Sequence, residues 1–151
     1  MTRTINGADE LKALVGETLG TSDWIEITQE RINLFADATG DHQWIHVDPE
    51  KAKDGPFGTT IAHGYLTISL APVLLPQVVR VTGFTMALNY GLNKLRFPSP
   101  VPVGSKLRVT AVLQEVEDVT GGVQLTYGLT FEVEGSPKPA CVAEVVFRYL
   151  G

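Results

Sequence analysis

Three stretches in the second half of the chain alternate apolar and polar residues with a period of two, and they constrain everything else the chain can do. Val123, Leu125, Tyr127, Leu129, Phe131 and Val133 alternate with Gln124, Thr126, Gly128, Thr130, Glu132 and Glu134. Leu107, Val109, Ala111 and Leu113 are interleaved with Arg108, Thr110, Val112 and Gln114, and Cys141, Ala143, Val145, Phe147 and Tyr149 with Val142, Glu144, Val146, Arg148 and Leu150. Successive side chains of a strand point to opposite faces, so each stretch reads as a strand with a core face and a more polar face. Gly121-Gly122 suits a tight reversal between two of them, and Gly135-Ser136-Pro137-Lys138-Pro139 suits the next. The expectation is a meandering antiparallel sheet, with another strand or two from 84–97.

Such a sheet needs cover for its apolar face. The one long apolar segment on offer runs from Tyr65 to Val79, with Leu66, Leu70, Val73 and Gln77 on one side and Ile68, Leu74 and Leu75 on others. A helix apolar nearly all round belongs in the interior, and Pro72 is expected to bend it or end its regular part. An α+β domain spanning 1–151 follows, a curved antiparallel sheet wrapped around a central helix; a small closed barrel is the rival that periodicity leaves open. The length of 151 residues suits one domain.

The first half is more helical. After a short polar opening, Asp23-Trp24-Ile25-Glu26-Ile27 is expected to form a strand. Thr28 then caps a helix from about residue 29, with Ile27 as a hydrophobic staple. Ile32, Phe35, Ala36 and Thr39 share one face of it, and Gly40 stops it. Residues 41–64 read mainly as loop, with a turn of helix at 49–53; an ordered loop of that length is often functional.

Composition excludes several classes. The formal charge is -5, from 17 acidic and 12 basic residues, with no cluster of Lys and Arg, so a surface that tracks nucleic-acid phosphates is not expected. Cys141 is the only cysteine, so no internal disulfide forms and a reducing compartment is the simpler inference. The opening residues lack the apolar stretch of a secretory signal, and 65–79 is too short to span a bilayer. A soluble cytoplasmic protein with no membrane partner is the expectation.

All three histidines, His42, His46 and His63, fall in the stretch 41–64 together with Asp41, Asp48 and Asp54. His42 and His46 have i,i+4 spacing, but the run lacks the Glu of a His-Glu-x-x-His zinc helix and Gly40 argues against a helix there, so no metal is expected. Asp41 and His46 fit an acid–base pair better. A carboxylate accepts a proton or orients a water, an imidazole does either near neutral pH, and the loop between them can turn both toward one water. The bland alternative is that Asp41 caps a turn and His46 packs as a half-buried polar residue. Gly64, at the start of the apolar helix, offers an N–H without an intrahelical partner that can hold a carbonyl oxygen gaining charge; otherwise it is a turn residue and His63 satisfies nearby backbone. Asn89, Tyr90, Asn93, Arg96 and Arg108 are polar or cationic candidates in the strand region, Arg96 for a phosphate. Neither Ser69 nor Cys141 has an evident base in sequence, and no glycine-rich nucleotide fingerprint is present.

The segment Phe35-Ala36-Asp37-Ala38-Thr39-Gly40-Asp41-His42-Gln43-Trp44-Ile45-His46-Val47-Asp48-Pro49 resembles the hydratase motif of the MaoC-like dehydratases, the (R)-specific enoyl-CoA hydratases. Ile61-Ala62-His63-Gly64 resembles that family's second segment, and Asn89 to Phe97 followed by Pro98, Pro100-Val101 and Val103-Gly104 its strand and turn. The likeness spans most of the chain and is in particular to single-domain mycobacterial hydratases and NodN-like proteins.

This resemblance implies a hot-dog fold and a homodimer whose sheets join edge to edge. It places Asp41 and His46 on the catalytic aspartate and histidine, and Gly64 on the backbone donor to the thioester carbonyl. Gln43, His63 and Arg96 become candidate substrate-binding residues. The implied reaction is hydration of a trans-2-enoyl-CoA to the (R)-3-hydroxyacyl thioester, with coenzyme A entering only as part of the substrate and with no cofactor or metal. Where the family usually carries Asn-Pro, this chain has Gln43-Trp44, which changes reach and bulk beside the pair. A hot-dog acyl-CoA thioesterase and a non-catalytic acyl-thioester-binding protein are the alternatives.

Overall fold

The structure, a computed structural model, describes residues 2–151. In chain order the elements are β1 (Arg3–Asn6), α1 (Gly7–Ala13), β2 (Thr18–Thr21), β3 (Ile25–Glu26), α2 (Gln29–Thr39), α3 (Trp44–Val47), α4 (Pro49–Ala52), α5 (Gly64–Ser69), α6 (Ala71–Val78), β4 (Val79–Thr82), β5 (Met86–Arg96), β6 (Lys106–Val119), β7 (Gly122–Val133) and β8 (Cys141–Leu150).

The three alternating stretches become β6, β7 and β8, hydrogen-bonded in antiparallel succession. Their register puts like faces together: Val109 is opposite Phe131, Leu113 opposite Tyr127, and Tyr127 opposite Val145. Leu107, Val109, Ala111, Leu113, Leu125, Tyr127 and Phe131 are completely buried. The register shifts between Leu113 and Glu115. That extra residue changes the inward parity from odd to even, so Val116 also packs against the core. The Gln114 side chain at this bulge lies over Gly128, where a Cβ would collide with it. This is why a glycine stands in mid-strand.

The sheet order is β2-β6-β7-β8-β5, with β3 also on β6. It has two ends, so the closed-barrel alternative does not apply. The apolar face is covered by α5 and α6, whose Leu66, Leu70, Leu74, Leu75 and Val78 join one core cluster with the inward side chains of the sheet. This is the hot-dog architecture.

Several expectations need correction. The apolar segment is two helices: Leu70 closes α5 and opens α6, with Pro72 in the first turn of α6 where no intrahelical N–H is required. Nor is it buried all round, because Tyr65 is 69% exposed and Val73 47%. The strand expected at 23–27 shrinks to Ile25–Glu26. The polar opening holds β1, α1 and β2, with β1 pairing in parallel with β4 some 76 positions away (Arg3 with Val79). Helix α2 is as expected: Thr28 Oγ1 accepts from the Arg31 N–H at 3.1 Å, and Gly40 ends it in the left-handed conformation with its N–H on the Ala36 carbonyl. Ile27, the expected staple, is buried in the core together with Ile32. Of the expected apolar face of α2, Ile32 and Ala36 are buried while Thr39 is exposed.

Candidate active site

Asp41 and His46 are positioned by the way the chain leaves α2. Gly40 takes φ 83°, a conformation that costs a side chain dearly, and redirects the chain sharply so that Asp41 follows outside the helix. The Asp41 carboxylate accepts the Gln43 N–H at 3.3 Å, which opens the one-turn helix α3. The loop reading is corrected here: His46 is carried on a helical turn, although a short one, and is 7% exposed.

The anchor for that turn is main chain on main chain. The Ile61 N–H donates to the Ile45 carbonyl at 3.0 Å, and the Ile61 carbonyl accepts from His46 Nδ1–H at 2.8 Å. A carbonyl can only accept, so the hydrogen belongs on Nδ1 and the nitrogen left for chemistry is Nε2. Segment 60–62 is held in turn by Ala62 N–H on Val101 carbonyl at 2.8 Å and Val103 N–H on Thr60 carbonyl at 3.0 Å. From the other side, Gln29 Nε2 donates to the His46 carbonyl at 2.7 Å, and its Oε1 accepts from Thr60 Oγ1 at 2.5 Å. Gln29 and Thr60 are the residues that sequence reasoning missed. No local pattern marks them, since their partners are 17 and 31 positions distant.

His63 completes the cluster. It is 2% exposed, its Nε2–H donates to the Asp41 carbonyl at 2.9 Å, and its ring stacks on His46 with centroids 3.9 Å apart and planes 23° apart. Phe35 packs on it at 4.9 Å. Burial pushes the His63 pKa down, against the opposing pull of the Asp41 carbonyl. One carboxylate oxygen of Asp41 and one ring nitrogen from each of His46 and His63 lie within 4.8 Å of one another. That is close enough for one water to meet the pair. It is also a carboxylate–imidazole set of the kind that binds divalent metals, but lone pairs on imidazole lie in the ring plane. Two planes stacked 3.9 Å apart and 23° from parallel do not meet within a metal–nitrogen bond length of about 2 Å. The geometry therefore suits proton transfer better than chelation.

His42 takes no part. It faces out to Asp37, 3.0 Å away, whose hydrogen bond raises its pKa. Gln43 is exposed, with its main chain on Asp41. Trp44 lies against Gly55, where a Cβ would stand 2.9 Å from the indole, and Lys51 sits 4.8 Å over its ring.

Gly64 is the first residue of α5, so its N–H stands outside the helix ladder. The Phe97 ring is pressed against it, and a Cβ there would meet three ring carbons at 2.8, 2.9 and 3.1 Å. Gly64 and Phe97 line a largely apolar cavity of about 300 Å³ together with Ile61, Thr67, Pro100 and Ala140. A larger cavity, about 390 Å³, lies elsewhere, between Ile68, Ala71 and Pro72 and the strands β5 and β8. Asp41, His46 and His63 line neither cavity, but the smaller one is lined by Ala62 and Gly64, the chain neighbours of His63. Arg96 is exposed beside Phe97 and donates to the Leu95 carbonyl. Cys141 is buried with its thiol pushed up to about 12, so it is no nucleophile. Among the described residues no helix is long and apolar enough to cross a membrane.

Residues 10–133 match the family described as the MaoC like domain. The chain is 61% identical over 149 residues to 3-hydroxyacyl-thioester dehydratase Z of Mycobacterium tuberculosis strain H37Rv, covering 98% of this chain and 99% of that protein. It is 46% identical over 138 residues to nodulation protein N of Rhizobium leguminosarum bv. viciae, covering 89% and 85%. Among solved structures, the unliganded R-hydratase PhaJ1 from Pseudomonas aeruginosa superposes with a TM-score of 0.74 at 24% identity, over 90% of this chain and 81% of that one. At that identity the likeness speaks for the fold.

Proposed function

The chain belongs to the MaoC-like dehydratase family, and from that premise we propose that it reversibly hydrates trans-2-enoyl-CoA thioesters to the (R)-3-hydroxyacyl products. The observation that carries this reading is that an Asp41 carboxylate oxygen and a His46 ring nitrogen lie within 4.8 Å of one another, with Nδ1 of His46 committed to Ile61, beside an N–H that no helix bond uses. A 3-hydroxyacyl thioester is also what the mycobacterial relative is named for dehydrating.

In the hydration direction, the water oxygen attacks C3 of the enoyl group as one of its protons passes to Asp41. The electron pair of the double bond moves toward the thioester carbonyl, whose oxygen gains negative charge and is met by Gly64 N–H. C2 then takes a proton from His46, the enolate collapses, and the thioester is restored one water heavier. In this division His46 enters as imidazolium with its second proton on Nε2, since Nδ1–H is committed to Ile61. A bell-shaped dependence of kcat/KM on pH is the corresponding expectation. No metal or cofactor is needed for these transfers. In this reading the acyl chain lies in the apolar cavity that Gly64 and Phe97 help to line, and the exposed Gln43 and Arg96 are candidates for contacts to the rest of the substrate.

The protein works as a homodimer in this reading. Strand β5 is an end of the sheet, and Met86, Leu88, Tyr90 and Leu92 are 42–57% exposed along it. An unpaired edge with that much apolar surface asks for cover.

The test is direct. Purified protein is given crotonyl-CoA, and loss of the conjugated thioester absorbance, product chirality and free thiol are followed. Asp41→Asn and His46→Gln should keep the fold and suppress hydration by at least about 100-fold. Release of CoA thiol without a 3-hydroxy product would make the protein a thioesterase instead, and equal rates in both variants would remove the assignment of the pair.

A further inference from the structure

We infer that His63 is a positioning residue, one that sets the catalytic pair and the oxyanion donor in register with each other. The inference rests on the hydratase reading above.

Three connections meet in this one residue. Its Nε2–H holds the carbonyl of Asp41 at 2.9 Å, which fixes the main chain from which the carboxylate is hung. Its ring covers one face of His46 at 3.9 Å, while Ile61 holds the His46 edge at Nδ1. A contact on the face and a bond at the edge together determine both side-chain torsions of His46, so Nε2 has one direction left to point. Finally, the peptide that follows His63 is the one whose N–H is Gly64's. The His63 carbonyl accepts from Leu66 N–H at 3.0 Å, so the orientation of that peptide is locked by the start of α5. A shift in His63 therefore moves base, acid and oxyanion donor relative to one another. Misplacement of a reacting group by about 1 Å can cost about 100-fold in rate.

The residue is built to support and not to react. Nε2–H is occupied, and Nδ1 is buried with no partner. An unpartnered buried acceptor costs roughly 1–3 kcal/mol. A neutral ring with an orphaned acceptor is nevertheless cheaper than a buried cation, and burial holds the ring neutral. Neutrality matters to the neighbour. The groups facing His63 are the Asp41 carboxylate and carbonyl, the His46 ring and, further off, His42. A charge on His63 would oppose a proton on His46 through the stacked faces, whereas a neutral π face tolerates it.

Two variants separate the connections. His63→Phe keeps an aromatic face for His46 and loses the bond to Asp41; His63→Gln keeps an amide donor and loses the stack. Each is assayed for kcat and KM on crotonyl-CoA, and the His46 ring is followed by NMR across pH. We expect kcat to fall about tenfold or more in each variant, with KM within about threefold. The His46 resonances should move most in His63→Gln. A rise in KM at unchanged kcat would make His63 a substrate contact and overturn the inference, as would kcat within twofold of the parent in both variants. If His63→Phe does not fold, His63→Gln decides by the same criteria. If the parent itself hydrates no enoyl-CoA, the hydratase reading fails. The NMR arm still decides the positioning role, which falls if the His46 ring is unmoved in both variants.

Discussion

Replacing Gly64 with Ala tests the oxyanion assignment with a single methyl group. The new Cβ would stand 2.8, 2.9 and 3.1 Å from three carbons of Phe97. Carbon atoms in contact prefer about 3.5–4.0 Å, so the ring must retreat by about 0.7 Å. It has somewhere to go, being 39% exposed. An off-rotamer side chain costs about 0.5–1.5 kcal/mol, and alanine regains up to about 1 kcal/mol over glycine in a helix. Gly64 is not among the positive-φ glycines, so no backbone strain is added. Net stability should change by no more than about 1 kcal/mol, a melting shift within about 4 °C for a chain of this size. Activity should suffer far more, because the methyl and the displaced ring both crowd the mouth of the cavity where the thioester carbonyl has to sit. Complete loss of one oxyanion donor is worth roughly 3 kcal/mol, which sets the ceiling near 100-fold; a fall in kcat/KM of about 10- to 100-fold is expected. Enoyl-CoA absorbance kinetics measure it, alongside circular dichroism and a thermal melt. Adding Phe97→Leu should recover part of the loss, a coupling that a double-mutant cycle reads out. A folded Gly64→Ala protein with kcat/KM within twofold of the parent would refute the placement of the thioester at Gly64.

Other outcomes follow from the same geometry. Thr28→Ala removes the acceptor for Arg31 N–H and should lower stability by about 1 kcal/mol, read as a drop in denaturation midpoint. The pH dependence of stability carries the sign of His63: its folded pKa is pushed below the ordinary 6.5. Its contribution is thus complete above pH 6.5 and is lost as pH falls through the native value, where the unfolded chain takes the proton first. The parent's melting temperature should therefore fall more steeply than that of His63→Phe between pH 7 and pH 5, and parallel curves would contradict the burial argument. Leu88→Arg puts a charge on the exposed row of β5 and should yield a monomer by light scattering; an unchanged dimer mass would place the interface elsewhere.

Which parts were legible in the sequence follows from how local their causes are. The strands β6 to β8 were readable because alternation is a property of the strand itself. Thr28 and Gly40 were readable because capping is decided within one turn of helix. The first 21 residues were not, since β1 exists only by pairing with β4 across some 76 positions. The two-helix break at Leu70 was half readable: Pro72 announced it, but placed it by its ring and not by the carbonyl pattern around Leu70. The exposed flank of Tyr65 and Val73 was hidden because an apolar side chain left in the open is the same residue type as one facing a core. In the site, Asp41 and His46 were visible as a pair in one short segment. Gln29, Thr60 and the Ile61 main chain were not, because main-chain partners leave no residue type to recognise. His63 was noted, yet its stack on His46 depends on two loops meeting and could not be read from either.

The Ile61 clamp has a consequence for how this scaffold tolerates change. Because residues 60–62 tie α3 to the chain at 101–103 through peptide groups, part of what holds His46 is made of groups that every amino acid but proline supplies. Exposed side chains outside that clamp, Gln43 and Arg96 among them, can be exchanged without loosening it. For the proposed hydration this means that the residues around the cavity can vary while the peptide groups that hold His46 stay the same, so a change of substrate need not disturb the proton transfer.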